Sequence, residues 1–262
     1  LSFSGNYHHN DGFFTNLHTH KKADKLDNGA GRIGLTWKPA AHWTTRFITS
    51  YEYSNQGGYP YGLYNADKGT TEAVNYNNEG LYRRNLLTSG INIRYNGPHI
   101  SFNSQTSYQY IQDKMGIDQD FSPRNIFYGQ NKIRQHMYCQ EFTVKSVNKS
   151  RYHWITGAFV FRQTINRKVD LSRFTDTTRH LTNSGIPTQG IAFYHQSTLD
   201  LLQGLSCSVG LRYDYEHARC DFSKVQQPLN GNGETKSLEQ FNRSLHFGQF
   251  TPRFSMQYLS SH

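Results

Sequence analysis

The sequence has no long apolar run. Nowhere do about 18 apolar residues follow one another, so no transmembrane helix is encoded. Hydrophobic residues make up 35% of the 262-residue chain, and the mean hydropathy is −0.77. These values do not exclude a membrane protein of another kind, because strands that span a membrane alternate apolar with polar residues and have an unremarkable average hydropathy.

Cysteine is scarce, with only Cys139, Cys207 and Cys220 in the chain. No C-x-x-C spacing occurs, which argues against a zinc site or a redox motif. An odd count excludes complete pairing within the chain, and whether Cys139 and Cys220 pair is left open. We expect Cys207, on the apolar side of its strand, to behave as a small hydrophobic residue.

Catalytic motifs are also missing, since the chain has no G-x-S-x-G, H-E-x-x-H or P-loop sequence. We therefore predict no enzyme activity and no cofactor. Histidine is abundant at 13 residues, and His8, His9, His18 and His20 crowd one polar stretch. Such pairs can bind metal or haem, but histidines in loops more often form polar surface, so no metal site is predicted.

The net charge of +9 raises the possibility of nucleic acid binding. The lysines and arginines are dispersed along the chain rather than clustered, so we predict no nucleic acid partner. Two interpretations of the charge remain: an inner or loop surface that meets anions, or a basic surface exposed to solvent.

What the sequence does contain is period-two alternation, most clearly in residues 31–55. Two strands there flank a turn at Pro39–Ala40–Ala41–His42, and each has one apolar and one polar side. Similar strands recur about ten times, each near the ten-residue length that crosses a membrane at a tilt. Aromatic residues make up 15% of the chain, as the interfacial girdles of a membrane barrel require.

The connections between these strands alternate between short turns and long polar segments. The short turns are placed at 39–42, Asn96–Gly97–Pro98, Asn148–Lys149–Ser150 and Leu202–Gln203–Gly204. The long polar segments cover His8–Asn28, about 56–83, Asp113–Arg134, Asn166–Thr188 and about 217–244. This asymmetry predicts an all-β fold: an antiparallel transmembrane β-barrel, partial, with about ten strands, short periplasmic turns and long extracellular loops.

The alternation also assigns side chains to the two sides of the predicted barrel wall. The predicted lipid-facing residues are Ile33, Leu35, Trp37, Phe47, Ile91, Ile93, Phe102, Val209 and Leu211. The predicted lumen-facing residues are Arg32, Arg46, Glu52, Arg94, Gln105, Glu141, Arg212 and Asp214. The candidate ligand-binding residues of the external loops are Tyr59, Tyr61, Tyr64, Arg83 and Arg84.

Several segments, taken in order, resemble the barrel of TonB-dependent outer-membrane receptors of the iron–siderophore type. They are DGFFTN, GRIGLTWKPAAHWTTRF, SFNSQTSYQY, CQEFTVKS with YHWITGAFVF, IAFYHQSTLDLLQGLSCSVGLRYDYE and FTPRFSMQY. Each motif is weak alone, and their order and spacing over nearly the whole chain carry the resemblance.

The resemblance implies a multi-pass barrel in the outer membrane of a Gram-negative bacterium, importing a ferric siderophore or a related iron chelate. It implies contact with outer-membrane lipid and lipopolysaccharide, and energy supplied by TonB–ExbB–ExbD through an N-terminal plug. Neither that plug nor a TonB box is seen in residues 1–262, and both ends look like cuts in a longer chain. We therefore expect residues 1–262 to be part of the barrel domain alone.

Two alternatives from other classes stay open. One is an outer-membrane porin or adhesin barrel without TonB coupling. The other is a soluble β-sandwich that binds carbohydrate.

Overall fold

The predicted all-β architecture is confirmed by a computed structural model, which describes residues 1–147 and 150–259. Twelve strands form, and ten of them join in one antiparallel sheet. These ten are β1 (Ser2–Asn10), β2 (Leu26–Ala40), β3 (Trp43–Gln56), β6 (Leu81–Asn96), β7 (Ile100–Asp118), β8 (Phe127–Ser146), β9 (Tyr152–Arg173), β10 (Thr178–Leu202), β11 (Leu205–Pro228) and β12 (Lys236–Tyr258). The short strands β4 (Tyr64–Asn65) and β5 (Thr70–Thr71) form a separate hairpin.

Within the described ranges, no helix is long and apolar enough to cross a membrane.

Every strand of the large sheet pairs with its neighbour along the chain, in the order β1-β2-β3-β6-β7-β8-β9-β10-β11-β12. Such a meander needs only hairpin connections, which suits the turn residues in the sequence. Strands β1 and β12 form the two edges and do not pair with each other, so the sheet is open across the described residues. This is the partial barrel wall that the alternation predicted.

The turn between β10 and β11 shows why a glycine is needed at one tight connection. Gly204 has a φ of 82°, in the left-handed region that favours glycine. A Cβ atom there would also lie 2.3 Å from the carbonyl oxygen of Leu259. Gly204 therefore permits both the turn and the close approach of the chain that follows β12.

Three of the predicted long polar segments are largely strand, and their predicted boundaries are wrong. Residues 174–177 alone separate β9 from β10, where a loop over Asn166–Thr188 was expected. Likewise only 119–126 separate β7 from β8, and only 229–235 separate β11 from β12. These strand ends carry few apolar residues, so the alternation is weak there, while backbone pairing such as Arg167 with Ser184 continues.

The bounds of the remaining connections agree better with the predicted long loops and short turns. Residues 11–25 and 57–80 are the long ones, although β1 extends to Asn10 and β2 begins at Leu26. At the opposite end of the sheet, residues 41–42, 97–99 and 203–204 form tight connections. Of the turn predicted at Asn148–Lys149–Ser150, the first two residues lie outside the described residues.

The two long loops pack together through a small core of Ala23, Val74 and Tyr76. Asn16 is 1% exposed and joins the loops, because its Nδ2 donates to the carbonyl oxygen of Tyr76 at 2.8 Å. Its Oδ1 accepts from the backbone amides of Tyr76 and His18 at 3.3 and 3.0 Å. One buried side chain thus satisfies backbone groups of both segments.

We expect Asn16→Ala to separate the two loops, because it leaves backbone groups of Tyr76 buried without partners. The cost is about 1–3 kcal/mol. Faster amide hydrogen exchange at residues 14–23 and 72–77 would show the separation, with the strands unaffected. The exposed His18→Ala is the matched control, and equal exchange in both variants would contradict this role of Asn16.

Candidate functional site

The register of the sheet divides its side chains between two faces, because residues directly opposite each other on paired strands share a face. One unbroken row illustrates the polar face. It runs through Arg46, Asn92, Gln105, Glu141, Phe159, Ala192 and Asp214. We call the side of the sheet that carries this row the polar face, and the opposite side, which carries Phe47, Ile91 and Leu211, the apolar face.

The structure places all the residues predicted to face the lumen on the polar face. Arg46, Gln105, Glu141 and Asp214 lie in the row itself. Arg94 and Arg212 lie two positions along their strands from the row, Glu52 lies six positions from Arg46, and Arg32 on β2 is opposite Ser50 of β3. All nine residues predicted to face lipid lie on the apolar face. The assignment of either face to lipid or to a lumen is taken up under the proposed function.

A cavity of about 780 Å³ lies on the polar face beside β1, β2, β3, β6 and β7. Three guanidinium groups line it, from Arg32, Arg46 and Arg94, together with the single carboxylate of Glu52. Among the described residues, none of these four side chains forms an ion pair within 4.0 Å. The cavity is therefore positively charged with its donors unoccupied, which suits an anion.

Two charged groups on the other half of the polar face have partners within the sheet. Arg212 donates to both carboxylate oxygens of Asp214, through Nε at 2.8 Å and Nη2 at 2.7 Å. The hydroxyl of Tyr194 donates to Oε1 of Glu141 at 3.0 Å. The candidate binding surface is the cavity that carries the three free arginines.

Tyr194 was not singled out in the sequence, although a signal for it existed. It pairs with Gly157, the glycine of the W-x-x-G segment. A Cβ atom on Gly157 would lie 2.2 Å from the Tyr194 ring, so the ring lies directly over the bare backbone. A glycine inside a strand marks such a close approach.

The loop tyrosines are only partly available to a ligand. Tyr59 stacks on Tyr61 with ring centroids 5.6 Å apart, and Tyr61 meets the edge of Phe121 at 5.2 Å. Tyr64 lies in the β4–β5 hairpin and is 68% exposed. Burial raises the pKa of the neighbouring Tyr76, which therefore stays neutral in the core of the loops.

Arg83 and Arg84 are not brought together, because adjacent residues of a strand point to opposite faces. Arg84 lies on the polar face and forms a two-bond ion pair with Asp113, both bonds at 2.8 Å. Arg83 lies on the apolar face, where its Nε donates to Oδ1 of Asn55 at 3.1 Å. The five candidate ligand-binding residues therefore do not form one site in this structure.

No group of three His, Cys, Asp or Glu side chains that could hold a metal ion occurs within residues 1–147 and 150–259. Cys139, Cys207 and Cys220 are free thiols and half-buried. Cys207 lies on the apolar face, opposite Met256.

The solved structure of FyuA, the ferric yersiniabactin uptake receptor from Yersinia pestis, superimposes on 97% of this chain with a TM-score of 0.78. The fold is that of part of a TonB-dependent receptor barrel. Sequence identity to FyuA is 13%, and the chain covers 39% of FyuA. The resemblance found in the sequence motifs is thereby confirmed at the level of the fold.

The ferric citrate transporter FecA, in its unliganded form, gives a TM-score of 0.67 at 11% identity over 94% of this chain. The chain spans 35% of FecA, so both similar structures are much longer than this chain. One is described as an uptake receptor and the other as a transporter. No family model matches the sequence.

The contact between Gly157 and Tyr194 yields a direct test of the polar face. We expect Gly157→Ala to displace the Tyr194 ring and break its bond to Glu141, costing about 1–3 kcal/mol. Urea unfolding of the detergent-solubilised protein measures this cost. Gly31→Ala is the control, since its Cβ would have no neighbour within 4 Å. Equal stability of the two variants would contradict the described contact.

Proposed function

We propose that this chain forms part of the barrel of a Gram-negative outer-membrane receptor that imports a ferric siderophore or similar iron chelate. In this proposal the energy comes from TonB–ExbB–ExbD, acting on a plug that belongs to the same protein. The observation that carries the proposal is the exposed apolar face, which continues across the strands of one open sheet.

The apolar face is too large and too exposed to be left in water. Leu35, Val209 and Phe254 are 47%, 58% and 67% exposed, and they represent a band that extends from β2 to β12. Soluble monomers rarely expose contiguous apolar patches above a few hundred Å². A sandwich would cover such a face with a second sheet, but the described residues form one large sheet and a two-stranded hairpin. Lipid is the environment that fits.

Aromatic side chains flank this band on both sides. Trp37, Trp43 and Tyr95 lie near the tight turns, and Trp43 packs against Tyr95 with ring centroids 5.0 Å apart. Toward the loop end of the strands, Tyr108 packs on Tyr138 at 4.7 Å. Paired girdles of this kind mark the two interfaces of a membrane barrel. They support placing the tight turns in the periplasm and the long loops outside the cell.

An anionic iron chelate is the ligand class that the polar face favours. The three free guanidinium groups of Arg32, Arg46 and Arg94 offer charge-assisted bonds to carboxylates or other acidic chelating groups. Exposed Tyr61 and Tyr64 add aromatic surface in the long loop at the other end of the same strands. FyuA and FecA are described as carrying ferric yersiniabactin and ferric citrate, which supports iron chelates as the first ligands to examine.

The same arginines suit a second partner, the acidic side chains of a plug filling the barrel. A porin or adhesin without TonB coupling would have no plug. The coding sequence on either side of these 262 residues therefore distinguishes the proposal from that alternative.

A pair of substitutions on β11 tests the orientation of the barrel wall. We expect Leu211→Arg to destabilise the bilayer-inserted protein by about 2–4 kcal/mol, because it places a charge in lipid. Arg212→Leu, on the polar face one residue away, should cost clearly less. Denaturant titrations in bilayers measure both values. Equal losses would show that the two faces are assigned wrongly.

Replacing two cavity arginines tests the ligand class. We expect Arg46→Gln combined with Arg94→Gln to weaken binding of ferric citrate or ferric yersiniabactin at least tenfold, because each lost charged bond is worth about 1.5–3 kcal/mol. Radioactive-iron binding to the complete receptor provides the measurement. Lys145→Gln with Lys224→Gln removes the same charge away from the cavity. If both double variants bind each chelate like the unmodified receptor, the cavity is not the anion site.

A further inference from the structure

Two histidines lie opposite each other on the apolar face, one on each of the strands β11 and β12. In the register of the sheet His217 of β11 is opposite His246 of β12. Their ring centroids are 4.6 Å apart and their planes are inclined by only 15°, so the two rings are stacked. His246 is exposed and His217 is half-buried, so the outer side of the two rings is open. We call these two side chains the histidine pair.

The register brings the two rings within reach of one ion. Directly opposed residues have Cβ atoms about 4.5–5.5 Å apart. Imidazole nitrogens bind zinc at about 2.0–2.1 Å, so two nitrogens on one ion are roughly 3–4 Å apart. That separation is less than the distance between the ring centroids of the histidine pair. Turning each ring about its Cβ–Cγ bond, with both strands fixed, is the adjustment that directs one nitrogen of each ring at a shared ion.

Tyr215 holds His246 in the orientation that a metal ligand needs. The hydroxyl oxygen of Tyr215 is 3.1 Å from Nδ1 of His246. In the tautomer whose Nδ1–H donates to this oxygen, Nε2 of His246 keeps its lone pair for a metal ion. Histidines that bind metals almost always donate their other ring N–H to an oxygen acceptor, which fixes the ring and its tautomer. Tyr215 lies two residues before His217 on the same face of β11, so it completes the site without touching the ion.

The surroundings of the histidine pair are compatible with an added cation. Within residues 1–147 and 150–259 neither imidazole forms an ion pair with a carboxylate that would hold it protonated. Arg219, the next residue of β11 on this face, donates to Asp221 at 2.6 Å, so its charge is neutralised. The residue opposite His217 on β10 is the uncharged Gln189. Neutral imidazole is the form that binds metals, and the neighbouring residues favour that form.

The position of the histidine pair along the strand places it within reach of water. His217 is twelve residues beyond Leu205, where β11 leaves the tight turn. At about 3.3 Å per residue and a tilt of about 40°, it lies roughly 30 Å above that turn. The hydrocarbon core of a bilayer is about 30 Å thick. The histidine pair therefore falls at the outer interface, on the opposite face from the anion cavity.

Two imidazoles select the kind of ion. Imidazole suits Zn²⁺, Cu²⁺ and Ni²⁺, whereas Ca²⁺ and Mg²⁺ prefer oxygen ligands. A site of given nitrogen ligands binds Cu²⁺ more tightly than Zn²⁺. No group of three His, Cys, Asp or Glu side chains that could hold a metal occurs in the described ranges, so the remaining coordination positions are left to water. Such a cation differs in charge and chemistry from the anionic chelate proposed for the cavity.

We propose that the histidine pair is a binding site for a divalent transition-metal ion of the Cu²⁺ and Zn²⁺ class. The ion joins Nε2 of His246 to one ring nitrogen of His217, while Tyr215 positions the first of these ligands. It fastens β11 to β12 on the outer side of the wall. The site itself depends only on the sheet, whereas its location at the outer interface rests on the proposed function.

The test uses the complete receptor, purified in detergent and stripped of metal with EDTA, which is then removed. Cu²⁺, Zn²⁺ and Ca²⁺ are separate probes, and binding is followed by titration calorimetry and by the thermal midpoint. His217→Gln and His246→Gln each remove one ligand, and Tyr215→Phe removes only the positioning hydroxyl. His195→Gln is the matched control, because it removes from the same face an imidazole whose two nitrogens are already bonded to hydroxyl groups at 2.6 and 3.0 Å.

We expect the unmodified receptor to bind Cu²⁺ more tightly than Zn²⁺ at this site and to bind Ca²⁺ far more weakly than either. Each ligand substitution should weaken Cu²⁺ binding at least a hundredfold, and Tyr215→Phe should weaken it about tenfold. Cu²⁺ should raise the thermal midpoint of the control more than that of either ligand variant, because the ion binds the folded sheet. Electron paramagnetic resonance of the Cu²⁺ complex should show coupling to two imidazole nitrogens.

Equal Cu²⁺ affinity in His246→Gln and the control would overturn the proposal, and so would a Ca²⁺ response as strong as that to Cu²⁺. Unchanged Cu²⁺ binding by Tyr215→Phe would contradict the positioning role of that hydroxyl. Fractionating cells that express the unmodified receptor tests the location separately. Recovery outside the outer membrane contradicts the proposed function, whereas the metal measurements on purified receptor decide this inference by themselves.

Discussion

Unbroken antiparallel backbone pairing is the constraint on which the rest of this structure depends. Each of the ten strands bonds to its chain neighbours, and the ladders between β7 and β11 continue for most of the strand length. In lipid this pairing is obligatory, because no water is present to satisfy free backbone groups. A slip of one residue would exchange the two faces, so the register that satisfies the backbone also separates apolar from charged side chains.

The same separation sets where the charged side chains lie, and they are paired in some places and unpaired in others. On one half of the polar face Arg212 and Asp214 neutralise each other. On the other half Arg32, Arg46 and Arg94 remain without partners.

Pattern alone could predict the faces and the class of fold, because period-two alternation is a property of neighbouring residues. Leu35, Phe47 and Leu211 were assigned to one face from spacing alone, and they share it in the structure. The ends of β9 and β10 were not predicted, since they carry few apolar residues, such as Val169 and Leu171, and the alternation there is weak. Arg83 and Arg84 looked like a pair in the sequence and point to opposite faces in the sheet.

Spin labels placed along β8 test the central claim, that the apolar face meets lipid, most directly. Single cysteines would be introduced at residues 140–145 of a receptor in which the native cysteines, Cys139, Cys207 and Cys220 among them, are replaced by serine. They would be labelled after reconstitution into bilayers. We predict alternating accessibility, with the label at Phe142 colliding preferentially with dissolved oxygen and the label at Thr143 preferentially with a water-soluble nickel chelate. Uniform accessibility to the nickel chelate at both positions would contradict the membrane assignment.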